Sequence, residues 1–146
     1  MRQPYLQLHV HLVWSTWDRE PSLTAGLLDA VHNAIAANAV RLGCHPVHVG
    51  GTSDHVHVLV GLPATMAVST LVQHLKGSSS HLVNHVLSPG LGFRWQGAYG
   101  AFAVDRHSVA RCRDYVAQQS IHHGDGDLDP DWETTHCPSP AQAGLC

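Results

Sequence analysis

The chain has 146 residues, 44% hydrophobic and 13% charged, a composition typical of one compact domain and too apolar for a disordered protein. No stretch approaches the roughly 18 apolar residues that span a bilayer, and the N-terminus lacks the apolar core of a signal peptide. We therefore expect a cytoplasmic protein without a membrane segment, and the net charge of −3 alone argues against nucleic-acid binding.

The acidic residues are concentrated near the C-terminus. Residues 124–146 contain five Asp or Glu and no Lys or Arg, within a sequence rich in Gly, Asp and Pro. We interpret this segment as a loosely ordered acidic tail, and residues 1–123 as the folded domain. The domain holds all eight Lys and Arg residues against six acidic ones, with Arg106, Arg111 and Arg113 clustered. A mildly basic domain permits nucleic-acid binding without establishing it.

The hydrophobic pattern changes period several times along the domain. Residues 5–14 alternate and predict a strand, and residues 24–42 have apolar residues at helical spacing with Gly43 as a C-terminal stop. The later elements are two strands at 45–51 and 55–61, an amphipathic helix at 66–87, a strand at 98–104 and a helix that Asp105 can cap. The order is therefore β-α-β-β-α-β-α.

This order predicts an α+β fold of the ferredoxin-like (RRM-like) type. A split βαβ arrangement forms a four-stranded antiparallel sheet with two helices on one face, and a C-terminal helix follows here. The first and third strands are central neighbours in that topology. Their apolar positions should face the helices, so the alternate positions should lie on the open face.

The pattern His-Val-His occurs on both of these central strands. It appears as His9 and His11 in "LHVHLVW" and as His55 and His57 in "DHVHVLV". Two imidazoles on one strand face can hold a metal ion, provided that further ligands converge on them. Periodicity places both pairs on the open face, and it does not choose between them.

A possible partner for such a pair lies in the last helix, within "RDYVAQQ". Tyr115 and Gln119 are four residues apart and therefore lie on the same helix face. A Tyr, a Gln and two His around a divalent cation can attack a phosphodiester. The cation polarises the phosphate, and the phenolate acts as the nucleophile and becomes a covalent phosphotyrosine.

The chain resembles the HUH single-tyrosine transposases of TnpA type, over about residues 5–123. Five segments carry this resemblance in order: "HLVW" at 11–14, "DHVHVLV" at 54–60, "LVQHLKGSSS" at 71–80, "WQGAYGAF" at 95–102 and "RDYVAQQ" at 113–119. His-x-His alone is a weak signal, whereas the combination in this order is specific. The "WQGAYGAF" segment and the His-His after the last helix resemble the branch that includes chromosomal, REP-associated relatives.

The resemblance implies a role for each candidate residue. His55 and His57 match the metal pair, Gln119 the third ligand and Tyr115 the nucleophile, while His11 is a possible accessory residue. The implied cofactor is Mg²⁺ or Mn²⁺. The implied activity is cleavage of single-stranded DNA beside a hairpin, with a 5′-phosphotyrosine intermediate and strand rejoining. The resemblance also implies a nucleoid-associated homodimer with an active site composed from both subunits.

Two departures from the family pattern bear on DNA binding. His81 stands where the family usually has an Arg after the K-G-x-S stretch, and the acidic tail replaces a basic or amphipathic segment. Both changes would weaken the attraction for phosphates. The remaining candidate DNA-binding residues are Lys76, Arg111 and Arg113.

Alternative functions and residue roles stay open at this point. The chain could be a catalytically silent nucleic-acid-binding module, or a domesticated relative that processes chromosomal palindromic repeats. A plasmid relaxase or replication initiator is disfavoured by the short chain and the C-terminal Tyr. Tyr5 and Tyr99 are alternative nucleophiles that we interpret as structural strand aromatics. The "GSSS" segment at 77–80 could form a phosphate-gripping turn or pack inside a helix, and Trp17 could stack on a base.

Overall fold

The computed structural model describes residues 2–118, which form a four-stranded antiparallel sheet and three α-helices. Its elements in chain order are β1 (His9–Ser15), α1 (Ala25–Arg41), β2 (His45–Thr52), β3 (His55–Gly61), α2 (Val68–Leu82), β4 (Gly100–Val104) and α3 (Val109–Ala117). A 3-10 turn at Trp17–Arg19 follows β1, and a π-helical turn at Val83–Leu87 extends α2. The α+β class and the predicted element order are confirmed.

The strand order in the sheet is β2-β3-β1-β4, so β1 and β3 are the central pair, as predicted. Leu12 pairs with Val58 in their antiparallel register, and both side chains are fully buried in the main core. Ile35 of α1 and Leu75 of α2 belong to the same core. The alternating apolar positions of the central strands therefore face these two helices.

Helix α3 covers part of the opposite face of the sheet. Cys112 and Val116 on α3 pack against Leu59 of β3 in a second, smaller hydrophobic cluster. The turn before the helix is held by Asp105, whose carboxylate accepts hydrogen bonds from the backbone N–H groups of residues 107 and 108. Asp105 therefore holds the turn before the helix, but the predicted cap was wrong, because the N-cap residue is Ser108 and the helix begins at Val109. This placement brings α3 over the face to which the strand histidines point.

Three predicted element boundaries were wrong. The first strand begins at His9 rather than at residue 5. Its pairing with β3 ends at the His9–Gly61 pair, and its pairing with β4 ends at the His9–Val104 pair. Tyr5 consequently lies outside the sheet and is 85% exposed, so its interpretation as a strand aromatic was wrong. The second predicted helix begins at Val68 rather than at residue 66, although its π-helical turn ends at Leu87 as predicted, and the fourth strand begins at Gly100 rather than at residue 98.

Part of the predicted organisation falls beyond the described residues. Gln119 and the acidic tail at 124–146 lie outside residues 2–118, so the boundary proposed at residue 123 stays a prediction. Within residues 2–118, no helix combines the length and the apolar character that a membrane crossing requires.

Candidate active site

The central strands bring three histidines together on the face beneath α3. Ser15 of β1 pairs with His55 of β3, and Val13 pairs with His57. His11 is the next residue of β1 on the same face, so it lies beside His57. All three imidazoles are buried, with exposed fractions of 1% or less. The rings of His55 and His57 are nearly perpendicular, with centroids 5.0 Å apart.

His55 is held by two polar neighbours at its Nδ1 atom. Asp54 Oδ1 lies 2.7 Å from that nitrogen, and Thr52 Oγ1 lies 2.9 Å from it. Thr52 also donates a hydrogen bond to Asp54, and Arg19 Nε lies 3.5 Å from the second carboxylate oxygen. A carboxylate that accepts the Nδ1 proton of a histidine leaves Nε2 as the basic, ligand-forming nitrogen.

The charge state of Asp54 supports this assignment. Burial tends to raise the pKa of Asp54, but the hydrogen bond from His55, the Arg19 charge and the hydrogen bond from Thr52 hold it below its ordinary value. Asp54 is therefore ionised at neutral pH and accepts the proton of His55. Sequence reasoning missed this residue, although it immediately precedes His55 in the "DHVH" motif.

His57 is held by another histidine. His57 Nδ1 and His11 Nε2 lie 2.8 Å apart, and the two rings are stacked with centroids 5.0 Å apart at an interplanar angle of 18°. His9, in contrast, lies at the far end of β1, opposite Gly61. The second His-Val-His copy thus contributes one residue to the cluster, and the accessory role implied for His11 stays a prediction.

Helix α3 places Tyr115 against this cluster. The Tyr115 ring is nearly perpendicular to the His57 ring of the same chain, with centroids 6.1 Å apart. Close packing of α3 on β2 requires Gly50, because a Cβ at that position would overlap the Val116 backbone. Tyr115 is 8% exposed, so it sits at the edge of the buried region. The structure therefore brings three predicted site residues together: His55, His57 and Tyr115.

The third predicted metal ligand cannot be placed. Gln119 lies beyond the described residues, and within residues 2–118 no group of three His, Cys, Asp or Glu side chains is arranged to hold a metal ion. The described part of the site offers the imidazoles of His55 and His57 as donors. Imidazole suits divalent transition metals, whereas Mg²⁺ prefers oxygen ligands.

Lys76 does not join this site. It lies on α2, on the opposite side of the sheet, and its Nζ donates hydrogen bonds of 2.7 and 2.9 Å to the carbonyl oxygens of Gln96 and Ala98. Burial lowers the pKa of Lys76 to about 8. It lines a cleft of about 500 Å³ together with Arg94 and Tyr99. This position also separates Tyr99 from the histidines, and because β4 begins at Gly100 the interpretation of Tyr99 as a strand aromatic was wrong.

The other candidate DNA-binding residues are on the exposed side of α3. Arg111 and Arg113 lie on the same helix as Tyr115, and both are exposed. Arg113 Nε is 3.6 Å from a carboxylate oxygen of its neighbour Asp114. Their role in DNA binding stays a prediction.

Burial distinguishes between the alternative roles considered for the serines of α2 and for Trp17. Ser79 is buried inside α2, where its hydroxyl donates to the Leu75 carbonyl oxygen at 2.6 Å and accepts from Trp95 Nε1 at 2.9 Å. This residue packs inside a helix and does not form a phosphate-gripping turn. Trp17 remains 42% exposed, with the Arg94 guanidinium 4.1 Å from its ring centroid, so its stacking on a base stays a prediction.

Comparisons with known proteins agree on one family. A family model described as "Transposase IS200 like" matches residues 4–119. A crystal structure from Deinococcus radiodurans R1, assigned as a transposase, is 25% identical, with a TM-score of 0.62 over 82% of this chain and 98% of that chain. The structure of a REP-associated tyrosine transposase bound to a REP hairpin is 16% identical, with a TM-score of 0.64 over 85% of this chain and 73% of that chain. The comparison with curated proteins found no significant match.

These matches establish the class of protein that the fold and the histidine cluster suggested. It is a transposase, a DNA-binding protein of DNA recombination. The family model covers most of the chain, and the chain belongs to the IS200-like transposase family. The resemblance found in the sequence motifs is thereby confirmed.

Proposed function

We propose that this transposase cleaves and rejoins single-stranded DNA beside a hairpin, with Tyr115 as the nucleophile and with His55 and His57 as ligands of a divalent metal ion. The observation that carries the proposal is the contact of the Tyr115 ring with His57, next to His55. Hairpin recognition is supported by the REP hairpin bound to the structural relative.

The proposed chemistry assigns a defined step to Tyr115. Its Oη atom forms a bond to the scissile phosphorus while the bond from phosphorus to the 3′ oxygen breaks. The phenolic proton is lost to solvent, and the departing 3′ oxygen gains a proton. The products are a 5′-phosphotyrosine and a free 3′-hydroxyl, and attack by another 3′-hydroxyl on the phosphotyrosine rejoins the strands.

The histidine pair would serve the phosphate in this step. A metal ion bound by His55 and His57 would polarise the scissile phosphate and stabilise the charge that develops on it. Asp54 orients the His55 ring through Nδ1, and burial of both rings keeps competing water away. Because both donors are imidazoles, we expect Mn²⁺ to bind more tightly than Mg²⁺.

We further propose that the tyrosine and the histidine pair act within one chain. Tyr115 contacts the histidines of its own chain, and the close approach of Gly50 to Val116 anchors its helix there. A composite site in a homodimer is the competing arrangement that the family resemblance implies. The described contacts favour the arrangement within one chain.

The test uses a pool of oligonucleotides, each with a hairpin flanked by randomised unpaired sequence and a label at the 3′ end. The downstream fragment stays attached to the tyrosine, so cleavage should give a labelled adduct that resists SDS, requires Mn²⁺ or Mg²⁺ and disappears with EDTA. His57→Ala should abolish the adduct while retaining hairpin binding, whereas the control His9→Ala should retain both. Hairpin binding without any adduct from the wild-type chain would instead identify a catalytically silent module.

A further inference from the structure

The contact between His11 and His57 is a hydrogen bond between two ring nitrogens, whose donor depends on the tautomers of the two rings. The two facing atoms, His11 Nε2 and His57 Nδ1, are 2.8 Å apart, which is hydrogen-bond distance. Such a bond requires a proton on one nitrogen and a lone pair on the other. The position of this proton determines what the other nitrogen of His57 can do.

Two arrangements satisfy the hydrogen bond when both rings are neutral. If His57 carries the proton on Nδ1, its Nε2 has a lone pair that can bind a metal ion. If His11 donates instead, His57 must carry its own proton on Nε2, and that nitrogen cannot be a ligand. Only the first arrangement is compatible with the metal-binding role of His57.

We propose that His11 is a positioning residue that accepts the Nδ1 proton of His57 and thereby keeps Nε2 of His57 in its metal-binding form. This inference rests on the proposed function, because it assumes that His57 is a ligand. It gives His57 the same kind of support that Asp54 gives His55. Each histidine of the pair then has its Nδ1 proton held by a neighbouring side chain.

The surroundings of His11 explain why a neutral imidazole serves here. His11 is fully buried, and its ring lies 6.0 Å from the ring of Phe102 on the adjacent strand. Leu59 lies opposite it on β3. A buried carboxylate at this position would pay a large desolvation penalty, whereas a neutral imidazole accepts a hydrogen bond at lower cost. The backbone of His11 is also fixed by strand pairing on both sides.

The first test reads the tautomer of His57 directly in the metal-free protein. Long-range ¹H–¹⁵N correlation spectra of histidine-labelled protein distinguish a protonated from an unprotonated ring nitrogen, and His57→Gln assigns the signals. We expect the proton on Nδ1 of His57 in the wild-type chain. A His57 ring that carries its proton on Nε2 would overturn the inference, whatever the variants show.

The second test measures Mn²⁺ affinity by electron paramagnetic resonance. His11→Leu has similar bulk but no acceptor, and we expect its dissociation constant to rise about 10- to 100-fold, the usual effect of losing such a partner. His11→Gln supplies an amide oxygen and should recover part of the affinity. His9→Leu, on the same strand face but away from His57, is the matched control and should bind as the wild type does.

The outcomes separate this inference from the function on which it rests. If His57→Ala binds Mn²⁺ as tightly as the wild type, the proposed metal site itself is wrong. If His57→Ala loses Mn²⁺ while a folded His11→Leu retains full affinity, only the role of His11 is overturned. Circular dichroism establishes whether each variant is folded. If His11→Leu does not fold, the tautomer of His57 in the wild-type chain alone tests the role of His11.

Discussion

The Tyr115 ring meets the His57 ring of the same chain nearly at a right angle, with the two centroids 6.1 Å apart. The contact joins the last helix to a central strand, so the position of the tyrosine depends on how α3 packs on the sheet. That packing is close, because Val116 lies directly over Gly50. The chemistry proposed for the site therefore depends on the packing of α3.

Replacement of the proposed nucleophile should separate chemistry from packing. Tyr115→Phe keeps the ring that contacts His57 and removes the oxygen that would attack the phosphate. We expect the SDS-resistant adduct to vanish, while the free energy of unfolding changes by no more than about 1.5 kcal/mol, the contribution of one ordinary hydrogen bond. The adduct is measured on denaturing gels, and stability is measured by urea unfolding.

The matched control for this variant is Tyr99→Phe. Tyr99 packs beside Lys76 on the other side of the sheet, so its hydroxyl should not contribute to adduct formation. An adduct formed by Tyr115→Phe but lost in Tyr99→Phe would show that the wrong tyrosine was chosen.

Mixing two inactive variants should distinguish a site within one chain from a composite site. In a mixture of Tyr115→Phe and His57→Ala copies, no chain has both an intact tyrosine and an intact histidine pair. The contact within one chain predicts that mixing restores no adduct. The copies should be co-expressed with two different affinity tags, so that any mixed dimer can be isolated before the assay. Adduct formation by that mixed dimer would establish the composite site that the family resemblance implies.

Much of the fold could be predicted because burial imposes a period on the sequence. Alternation on the central strands correctly assigned Leu12 and Val58 to the core and the histidines to the other face. The errors occurred at the ends of helices and strands, because the period of the sequence does not show how far a neighbouring strand extends. Residue 5 continues the alternating pattern of β1, but neither neighbouring strand extends far enough to pair with it.

The candidate site was less predictable, because its contacts depend on strand register. Periodicity could not rank His9 and His11 against His55 and His57, since all four side chains point to the same face. The resemblance supplied the ranking, and the structure adds its physical basis in the hydrogen bond between His11 and His57. That bond joins residues 46 positions apart in the chain, so no local pattern could reveal it. Asp54 was different, because its place beside His55 was visible in the sequence.

Adding a single methyl group at Gly50 should displace the tyrosine helix. Gly50→Ala introduces a Cβ that overlaps the Val116 backbone, and overpacking of this kind costs about 1–3 kcal/mol. Relief of the overlap moves α3, and a shift of about 1 Å at a reacting group can slow a reaction on the order of 100-fold. We expect both the unfolding free energy and the rate of adduct formation to fall.

The control for this variant is the same substitution at an open position. Gly77 lies inside α2, and a Cβ there meets nothing within 4 Å. Gly77→Ala should therefore stabilise the chain by about 0.5–1 kcal/mol through its higher helix propensity, with no loss of adduct. An unchanged adduct rate in Gly50→Ala would mean that α3 does not need its described position for cleavage.

Lys76 should titrate far below an ordinary lysine. It is the only lysine in the sequence, so ¹³C-lysine labelling gives one unambiguous NMR titration curve. Because burial disfavours the ammonium, we expect the pKa of Lys76 in the folded chain to be about 8, against 10.5 for an ordinary lysine. Between pH 8 and 10.5 the unfolded chain therefore binds more protons at Lys76 than the folded chain does. The free energy of unfolding should rise with pH over this range, and Lys76 should not affect its pH dependence below pH 8.

The same environment sets what Lys76 can contribute to DNA binding. Its Nζ is already committed to the carbonyl oxygens of Gln96 and Ala98. Lys76→Met should therefore leave the salt dependence of single-strand binding nearly unchanged, whereas loss of a true phosphate contact would reduce the slope by about one. A titration midpoint near 10.5, together with a reduced salt slope in Lys76→Met, would show instead that the amine is solvated and contacts phosphate. Lys76 would then belong to the DNA-binding surface rather than to the support of residues 96–98.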